Sequence, residues 1–539
     1  MIGISQIKQN TDYPRQDLLL KITKKLKGAE IKDFTLVRRS LDARDKNNII
    51  YSVTADVEVK NEAAVLNRFS KDKNIEKAPD EKYRLPRQGK ELLSERPVVV
   101  GAGPSGLFCA YMLALYGYRP VLIERGKDAD SRKRDVDKFH KTGVLDSSSN
   151  VQFGEGGAGT FSDGKLNCSV KDKYGRNNLV LKIFHEHGAK EEILYTAKPH
   201  LGTDCLICIV KSMRRAIIEN GGEVCFETRL SGINIESGSL TGILAEDKSG
   251  VREIKTEVLV LATGHSARDT FKMLHESGLN MAPKAFAVGV RAEHLQEDIN
   301  RAQYGENYKK LYKNLPAADY KLTAHTQSGR NVFSFCMCPG GYVINSSSER
   351  GRLCINGMSY SGRNGENANS AIIVNVNPED TGADADIFAG VRFQEELERK
   401  AFEAAGGKIP SQRLGDFMEN RVSEGFGRIL PRHRGKTGFA DLNHILPDFI
   451  CESIKEVFPE FGRKIAGFDD KDVILSAVES RTSSPIRVTR DNESHESNIA
   501  GIYPCGEGAG YAGGITSAAM DGIKIFEAIY SKYRVENER

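Results

Sequence analysis

The residues best suited to chemistry are three spaced glycines and an acid that follows them. Gly101, Gly103 and Gly106 come directly after the apolar run at residues 97–100, at the spacing GxGxxG. The first glycine permits a tight turn, the second lets backbone approach a pyrophosphate, and the third lets the next helix pack closely. Glu124 ends the next apolar run, where a carboxylate can bind a ribose hydroxyl. The pattern predicts a dinucleotide site, and the acid favours FAD or NAD over NADP.

Three later segments have the composition expected around the same ligand. Residues 150–166 hold five glycines within eleven positions, which suits backbone lying against a flat or phosphorylated molecule. Apolar strands also run into residues 262–264 and 506–508, and a glycine pair opens a helix near residue 515. The predicted cofactor contacts are Gly101, Gly103, Pro104, Ser105, Gly106, Glu124, Arg125, Gly157, Gly159, Thr160, Leu230, Ala262, Thr263, Gly264, Gly506, Glu507, Gly513, Gly514 and Ile515.

The elements that must position these residues belong to an α/β fold. β-Branched runs before the glycine motifs predict buried parallel strands, with helices after them. A chain of 539 residues is too long for one core. We expect a discontinuous Rossmann-like FAD-binding domain over residues 96–270 and 470–535, an inserted α+β substrate or cap domain over 271–469, and a small N-terminal α/β unit with a linker over 1–90.

Candidate reacting groups are expected over the cofactor. Cys336 and Cys338 lie two residues apart, and we expect at most one of them to face the flavin, with Cys338 as the selected candidate. A thiol there could relay electrons or donate a proton. His200 and His265 are candidate acids, because histidine ionises near neutral pH. Arg481 could hold an anionic reduced flavin or a substrate carboxylate. Each group could instead be purely structural. The cysteines could be core thiols, the histidines could have their hydrogen bonds met within the protein, and the arginine could be part of a salt bridge.

Cys205 and Cys208 form a CxxC pair at the start of a predicted helix, where the helix dipole would lower the pKa of a thiol. Thr203 or Asp204 is the expected cap of that helix. The sequence contains no second CxxC that would complete a zinc site, so no metal is expected. Because Cys208 and Met213 fit one buried stripe, we favour a structural role for the pair.

Composition indicates a globular protein: 39% of residues are hydrophobic and 28% are charged. No apolar run is long enough for a membrane span and no secretory signal is recognisable, so a cytoplasmic location without membrane contact is expected. Ten cysteines in a reducing compartment should be thiols. Net charge is +4, although residues 1–90 hold 20 Lys and Arg against 13 Asp and Glu. A solvated basic surface explains this excess better than nucleic-acid binding.

The motifs together resemble a known family. VVVGAGPSGLF, FGEGGAGTFSDGKL, KPHLGTD, ATGHSARDTF, FAVGVRAEH, FSFCMCPGGYV, ESRTSSPIR and GIYPCGEGAGYAGGITSAAMDG are similar to segments of the uncharacterised bacterial FAD-dependent dehydrogenases. The last of these also resembles the second FAD motif of flavoproteins of the glutathione reductase type, in which an acid binds the ribityl chain. In this chain Glu507 stands where Asp is more usual. The resemblance implies FAD binding and oxidoreductase chemistry, without naming a substrate.

The reaction expected from these observations is hydride transfer between flavin N5 and a small organic substrate, with reduction of an activated double bond favoured over oxidation. The chain has no second strand-preceded GxGxxG, so NADH or NADPH would have to enter the substrate cleft, or a redox partner protein would supply electrons. Two alternatives stay open: a flavoprotein that docks RNA through its basic N-terminal unit, and a noncatalytic sensor in which Cys336, Cys338 and the flavin exchange electrons.

Overall fold

The N-terminal unit is an antiparallel sheet with two helices, as seen in a computed structural model that describes residues 1–79, 82–168, 170–383 and 385–536. Its elements are β1 (Ile2–Gln9), α1 (Arg15–Lys25), β2 (Ile31–Asp42), β3 (Ile50–Val59), α2 (Glu62–Arg68) and β4 (Ile75–Lys77). The strand order is β2-β3-β1-β4. Alternation along β3 buries Val53, Ala55 and Val57 against Leu18 and Ile22 of α1, because successive strand residues face opposite sides.

The hairpin between β2 and β3 is docked on the rest of the chain. The Arg39 amide donates to the Tyr195 carbonyl at 2.6 Å, and the Ala197 amide donates to the Arg39 carbonyl at 2.9 Å. The Arg39 guanidinium also lies 5.2 Å from the ring centres of Tyr51 and Tyr195. The Ile49 amide donates to the Tyr312 hydroxyl at 2.9 Å. Part of the basic surface expected at this hairpin is therefore used inside the protein.

The next part of the chain builds most of a parallel sheet. Its elements are β5 (Glu91–Leu92), β6 (Val98–Val100), α3 (Pro104–Leu115), β7 (Val121–Ile123), α4 (Ala129–Thr142), α5 (Arg176–Glu186), α6 (Gly202–Glu219), β8 (Glu223–Cys225), β9 (Arg229–Glu236), β10 (Ser239–Asp247), β11 (Gly250–Lys255), β12 (Leu259–Leu261), α7 (Arg268–Glu276) and β13 (Met281–Pro283), with 3-10 turns at Ala158–Phe161 and Glu191–Leu194. Strands β9, β10 and β11 form a separate antiparallel sheet.

The inserted part is organised around a seven-stranded sheet. Its elements are β14 (Phe286–Leu295), α8 (Gln296–Tyr304), α9 (Tyr308–Leu311), β15 (Thr323–His325), β16 (Asn331–Cys338), β17 (Tyr342–Asn345), β18 (Ile355–Met358), β19 (Asn367–Val376), α10 (Pro378–Thr381), α11 (Ala389–Ala404), β20 (Ile409–Arg413), α12 (Leu414–Met418), β21 (His433–Arg434), β22 (Thr437–Phe439), α13 (Asp448–Lys464), β23 (Ile474–Glu479) and β24 (Ile486–Val488), with a 3-10 turn at Leu442–His444. The sheet order is β15-β16-β19-β14-β23-β20-β22.

The chain then returns to the parallel sheet through β25 (Ile502–Pro504), α14 (Ile515–Lys532) and β26 (Tyr533–Arg534). The sheet order is β25-β12-β6-β7-β8, with all neighbours parallel. The return was expected at residue 470, but β23 is hydrogen-bonded between β14 and β20 of the inserted sheet. The chain therefore leaves the inserted sheet only after Glu479, because β23 fills its interior.

Both faces of the parallel sheet are covered, which explains its uninterrupted apolar strands. Val99 of β6 packs in the cluster that contains Phe108 of α3 and Phe526 of α14, whereas Val98 and Val100 pack on the opposite face. The predicted α/β class with a Rossmann-like sheet is confirmed. No helix among the described residues has the length and apolar character needed to cross a bilayer.

Helices α3 and α14 approach each other backbone to backbone. A Cβ atom added at Gly522 of α14 would lie 2.2 Å from the Ser105 carbonyl oxygen. We expect Gly522→Ala to push the helices apart and lower the free energy of unfolding by about 1–3 kcal/mol, measured by urea denaturation. Gly425→Ala is the matched control, since a Cβ there meets nothing within 4 Å. Equal stability of the two variants would contradict this packing.

Candidate functional site

A cavity of about 740 Å³ is lined by residues of both the parallel sheet and the inserted sheet. This volume lies in the range of about 300–1,000 Å³ that small-molecule and cofactor sites occupy. The wall draws on parts of residues 100–105, 123–125, 152–168, 262–270, 319–321, 334–337, 479–482 and 507–518. The distant glycine segments of the sequence therefore converge on one enclosed space.

Two helices begin at this cavity. Gly103 precedes α3, and Gly513 and Gly514 precede α14. Around Gly513 and Gly514 a Cβ atom would meet nothing within 4 Å, and at Gly103 it would meet only the Gly157 Cα, at 3.8 Å. The first amides of a helix have no intrahelical acceptor and carry the positive end of its dipole. Open backbone at two helix starts suits the phosphates of a dinucleotide.

The Glu124 carboxylate is buried and held in place by backbone amides. Its Oε1 accepts from the amides of Gly126 and Gly154, each at 2.9 Å, and its Oε2 accepts from the Ala102 amide at 2.8 Å. A carboxylate oxygen can accept two hydrogen bonds. Among the described contacts Oε2 accepts only one, so it can take a ribose hydroxyl, as the sequence predicted for this acid.

A buried arginine shapes the glycine loop. Arg132 of α4 is fully buried, and its guanidinium donates to the carbonyls of Asn150 at 2.8 Å, Val151 at 2.8 Å and Glu155 at 2.7 Å. A further bond reaches the Gly154 carbonyl at 3.3 Å. One side chain therefore satisfies four carbonyls of the loop that forms part of the cavity wall.

The structure brings most of the predicted cofactor residues to the cavity. Those on the wall are Gly101, Gly103, Pro104, Ser105, Glu124, Arg125, Gly157, Gly159, Leu230, Ala262, Thr263, Gly264, Glu507, Gly513, Gly514 and Ile515. Gly106, Thr160 and Gly506 lie behind it. A Cβ at Gly106 would be 1.8 Å from the Gly101 carbonyl oxygen, and one at Gly506 would be 2.3 Å from Ser105 Oγ. These two glycines permit close packing of the loops instead of touching the cavity.

His265 and Glu507 face each other on the wall. His265 Nδ1 lies 3.4 Å from Glu507 Oε1, and the buried Nε2 of His265 has no acceptor or donor among the described residues. A histidine and a carboxylate from two separate glycine segments thus meet where the sequence placed the ribityl contact.

Of the pair Cys336 and Cys338, only Cys336 lies on the cavity wall, which Cys168 also lines. In a regular strand, residues two apart face the same side of the sheet. Instead the pairing of β16 with β19 shifts register between Phe335 and Cys338, and Cys336 has a φ of 45°. A non-glycine residue in this conformation marks a locally imposed geometry. This bulge puts Cys336 on the wall, whereas Cys338, the residue selected from the sequence, is buried behind it.

Buried charges fix the bulge from behind. Arg291 is fully buried, pairs with Glu479 at 2.9 Å, and donates to the Cys336 carbonyl at 3.2 Å. The Cys338 thiol also donates to that carbonyl, at 3.2 Å. A hydrogen bond from Cys338 and the charges of Lys165 and Arg291 lower the pKa of the Cys336 thiol, against the opposing effect of burial. Burial raises the pKa of the Cys338 thiol.

Two cations share one carboxylate beside the bulge. Asp163 is fully buried; it accepts from Lys165 Nζ at 2.7 Å and from Arg363 Nε at 2.9 Å. Lys165 also donates to the Met337 carbonyl, so it joins the glycine segment to β16. Burial opposes the ionised form of Asp163, but Lys165 and Arg363 hold its pKa below the ordinary value.

Arg481 is already paired. It reaches the cavity wall, but its Nε and Nη2 each donate to Glu398 at 2.8 Å and its Nη1 donates to Ser348 at 2.6 Å. Glu398 is fully buried and also accepts from Arg268 of α7 at 2.9 Å. The guanidinium expected to hold a flavin or substrate charge therefore joins the inserted part to the cofactor side.

The other sequence candidates lie outside the cavity wall. His200 contacts the Ser361 carbonyl at 3.2 Å, and its pKa is lowered by burial and by the charge of Arg363. In the CxxC pair, Cys208 is exposed instead of part of a buried stripe. The pKa of Cys205 is raised by burial and by Asp204, opposite to the expected dipole effect.

Lys165, Arg363 and Glu479 are wall residues that the sequence did not single out. Lys165 lies inside the quoted motif FGEGGAGTFSDGKL, and Glu479 is the first residue of the quoted ESRTSSPIR, so membership in these motifs was the available signal. Arg363 lies in a polar turn without such a signal.

We expect Arg132→Met to weaken FAD binding by about tenfold or more, because four loop carbonyls lose their buried donor. Binding is measured by titrating flavin-free protein with FAD and following flavin fluorescence. Lys133→Met on the same helix is the control, since Lys133 is exposed and pairs with Asp137 on the surface. Unchanged affinity in the Arg132 variant would show that the loop does not depend on this side chain.

The Cys336 thiol should ionise below the ordinary thiol pKa of about 8.5. The difference in ultraviolet thiolate absorbance between the wild type and Cys336→Ser, followed as pH rises, reports this midpoint. Lys165→Met should move the midpoint upwards, because it removes a cation that stabilises the thiolate. Cys505→Ser is the control, since burial raises the pKa of that thiol. A Cys336 midpoint at or above the ordinary value would contradict this electrostatic arrangement.

Known proteins match the chain at several levels. A family model described as "FAD-dependent protein, C-terminal domain-like" matches residues 285–482, and one described as "NAD(P)-binding Rossmann-like domain" matches residues 99–144. A domain of unknown function matches residues 1–58. An uncharacterized protein of Clostridium beijerinckii is 45% identical over 537 residues, which cover 99% of each chain.

Solved structures match the chain at low similarity. The L-proline dehydrogenase from P. horikoshii is 12% identical, with 83% of this chain and 94% of that chain covered and a TM-score of 0.33. The glycerol-3-phosphate dehydrogenase from Bacillus halodurans complexed with FAD is 10% identical, with coverages of 81% and 65% and a TM-score of 0.33. The cavity, the two helix starts and the held acid fit FAD, which is the cofactor. The chain belongs to one family with the Clostridium beijerinckii protein, and it is an FAD-dependent protein with a Rossmann-like nucleotide-binding domain.

Proposed function

We propose that the protein transfers an electron pair between FAD and a small organic substrate that enters the end of the cavity lined by the inserted sheet. The observation that supports this most is the shared cavity, in which glycine segments from the cofactor side meet Cys336, Glu479 and Thr482 from the inserted side. Bound FAD would supply the chemistry of the electron transfer, and the protein would bind and orient it.

The glycine segments and helix starts bind the cofactor. The starts of α3 and α14 would hold its phosphates, and Glu124 would hold a ribose hydroxyl, in the manner of the glutathione reductase type of FAD fold. Glu507 and His265 lie near the next part of the ligand, where a carboxylate suits a hydroxylated chain. The fixed positions of these groups restrict the ligand to one orientation and exclude water from the covered part of the cavity.

Cys336 is the group we assign to proton transfer, in place of Cys338. Its Sγ lies on the wall, and its pKa is shifted towards neutrality, where a group can both accept and donate a proton. In reduction of an activated double bond, the substrate gains two electrons and two protons, and the Cys336 thiol supplies one of those protons. Solvent then returns a proton to Sγ. We favour this direction over substrate oxidation.

The electrons come from NADH or NADPH that enters the same cavity. The Rossmann-like match covers only residues 99–144, the first glycine motif, and a second such domain is not among the matches. A redox partner protein is the alternative donor. It would deliver electrons without a nicotinamide in the cavity.

Purified protein is expected to be yellow and to lose its flavin absorbance when mixed anaerobically with NADH or NADPH. The measurement is stopped-flow absorbance. The flavin of Cys336→Ser should still be bleached by the donor, because oxidation of NADH or NADPH needs no proton from a thiol. A colourless protein that takes up no FAD would contradict the cofactor site. A yellow protein bleached by neither donor would reject the nicotinamides and leave the partner protein as the donor.

A further inference from the structure

The cavity wall carries an excess positive charge at one point. Lys165 and Arg363 both face the cavity, and they share the single carboxylate of Asp163. The three side chains therefore carry one net positive charge. Asp163 is fully buried, and the exposed fractions of the Lys165 and Arg363 side chains are only 26% and 11%. A charge so poorly solvated acts strongly on a ligand in the cavity.

Other cations on the described wall are matched by acids. Arg481, together with Arg268 behind it, faces Glu398 and Glu349, which gives two cations for two carboxylates. Lys198 pairs with Asp319 at 2.7 Å. Arg125 pairs with Asp269, and Arg229 pairs with both Asp269 and Glu246. Lys321 is exposed, so solvent screens it. The poorly solvated excess is therefore localised at Lys165 and Arg363.

Both side chains keep donors for a ligand. Arg363 uses Nε and Nη2 on Asp163, and among the described contacts its Nη1 has no acceptor. Lys165 uses two donors, on Asp163 and on the Met337 carbonyl, out of the three that an ammonium has. Asp163 holds both cations in position, so little side-chain entropy is lost when an anion binds.

We propose that Lys165 and Arg363 bind an anionic group of the substrate, a carboxylate, next to Cys336. This inference rests on the proposed function, because it names the class of substrate for the same cavity. One net positive charge matches a monoanionic carboxylate, and a guanidinium with an ammonium offers directed donors to its two oxygens. Lys165 donates to the carbonyl of Met337, the residue after Cys336. An anion bound to Lys165 is therefore beside the Cys336 thiol that transfers the proton.

The arrangement allows variants that remove the excess charge without exposing a buried one. In Lys165→Gln, Asp163 keeps Arg363, and in Arg363→Gln, Asp163 keeps Lys165. Each variant changes the group from one net positive charge to neutral while the buried carboxylate stays paired. Both are therefore expected to fold and to retain FAD. Lys321→Gln is the matched control, because it removes a wall cation that is not paired with Asp163.

The test is isothermal titration calorimetry of the FAD-loaded protein with acetate and benzoate, and with the neutral acetamide and benzamide, at constant ionic strength. The acids should bind at least about tenfold more tightly than their amides. Lys165→Gln and Arg363→Gln should each weaken acid binding by about 10- to 100-fold and leave amide binding unchanged. Lys321→Gln should stay within about twofold of wild type. Arg363→Lys should recover part of the affinity, because it restores the charge without the fork of donors.

Equal affinity for acids and amides, no binding of either acid, or undiminished acid binding in both Gln variants would overturn the proposal. So would Gln variants that lose FAD while acid binding persists, since the cations would then serve the cofactor. Calorimetry requires no turnover, so these outcomes are separate from the reaction with NADH and NADPH. A protein that neither donor bleaches can still bind acids through this pair, and a bleached protein can fail to bind them.

Discussion

The structure depends on backbone passing against backbone where the distant glycine segments meet. Gly101 and Gly106 leave no room for a side chain, because a Cβ at either one would lie 2.3 Å or less from a carbonyl oxygen. Gly522 of α14 has the same constraint against α3. These contacts bring the starts of α3 and α14 to one cavity, although more than four hundred residues separate them along the chain. Without that close approach, the two positive helix ends would not face the same ligand.

Buried charged side chains are the second feature that organises the structure. They act by holding backbone carbonyls more than by contacting ligands. Arg132 holds four carbonyls of the glycine loop, and Arg291 and Lys165 each hold a carbonyl in the bulge of β16. Loops that cannot form regular ladders still need partners for their polar groups. Guanidinium and ammonium groups supply several donors from one side chain, so they can fix irregular backbone in a dry interior.

More of the residues on the cofactor side of the cavity than on the substrate side could be predicted from the sequence. The GxGxxG spacing and Glu124 are local signals, and the structure places them at the cavity because local turn geometry dictates them. The strand pattern could not decide between Cys336 and Cys338, because the bulge that separates them depends on Arg291 and on the register with β19. Lys165 and Arg363 meet only through Asp163, a tertiary contact that links positions 200 residues apart.

The buried group formed by Arg268, Glu398 and Arg481 joins α7 on the cofactor side to α11 and the end of β23 on the inserted side. Parting these elements would separate Glu398 from at least one of the two arginines that pair with it inside the protein. Glu398 therefore keeps both of its arginine partners only while the cofactor side and the inserted side stay packed together.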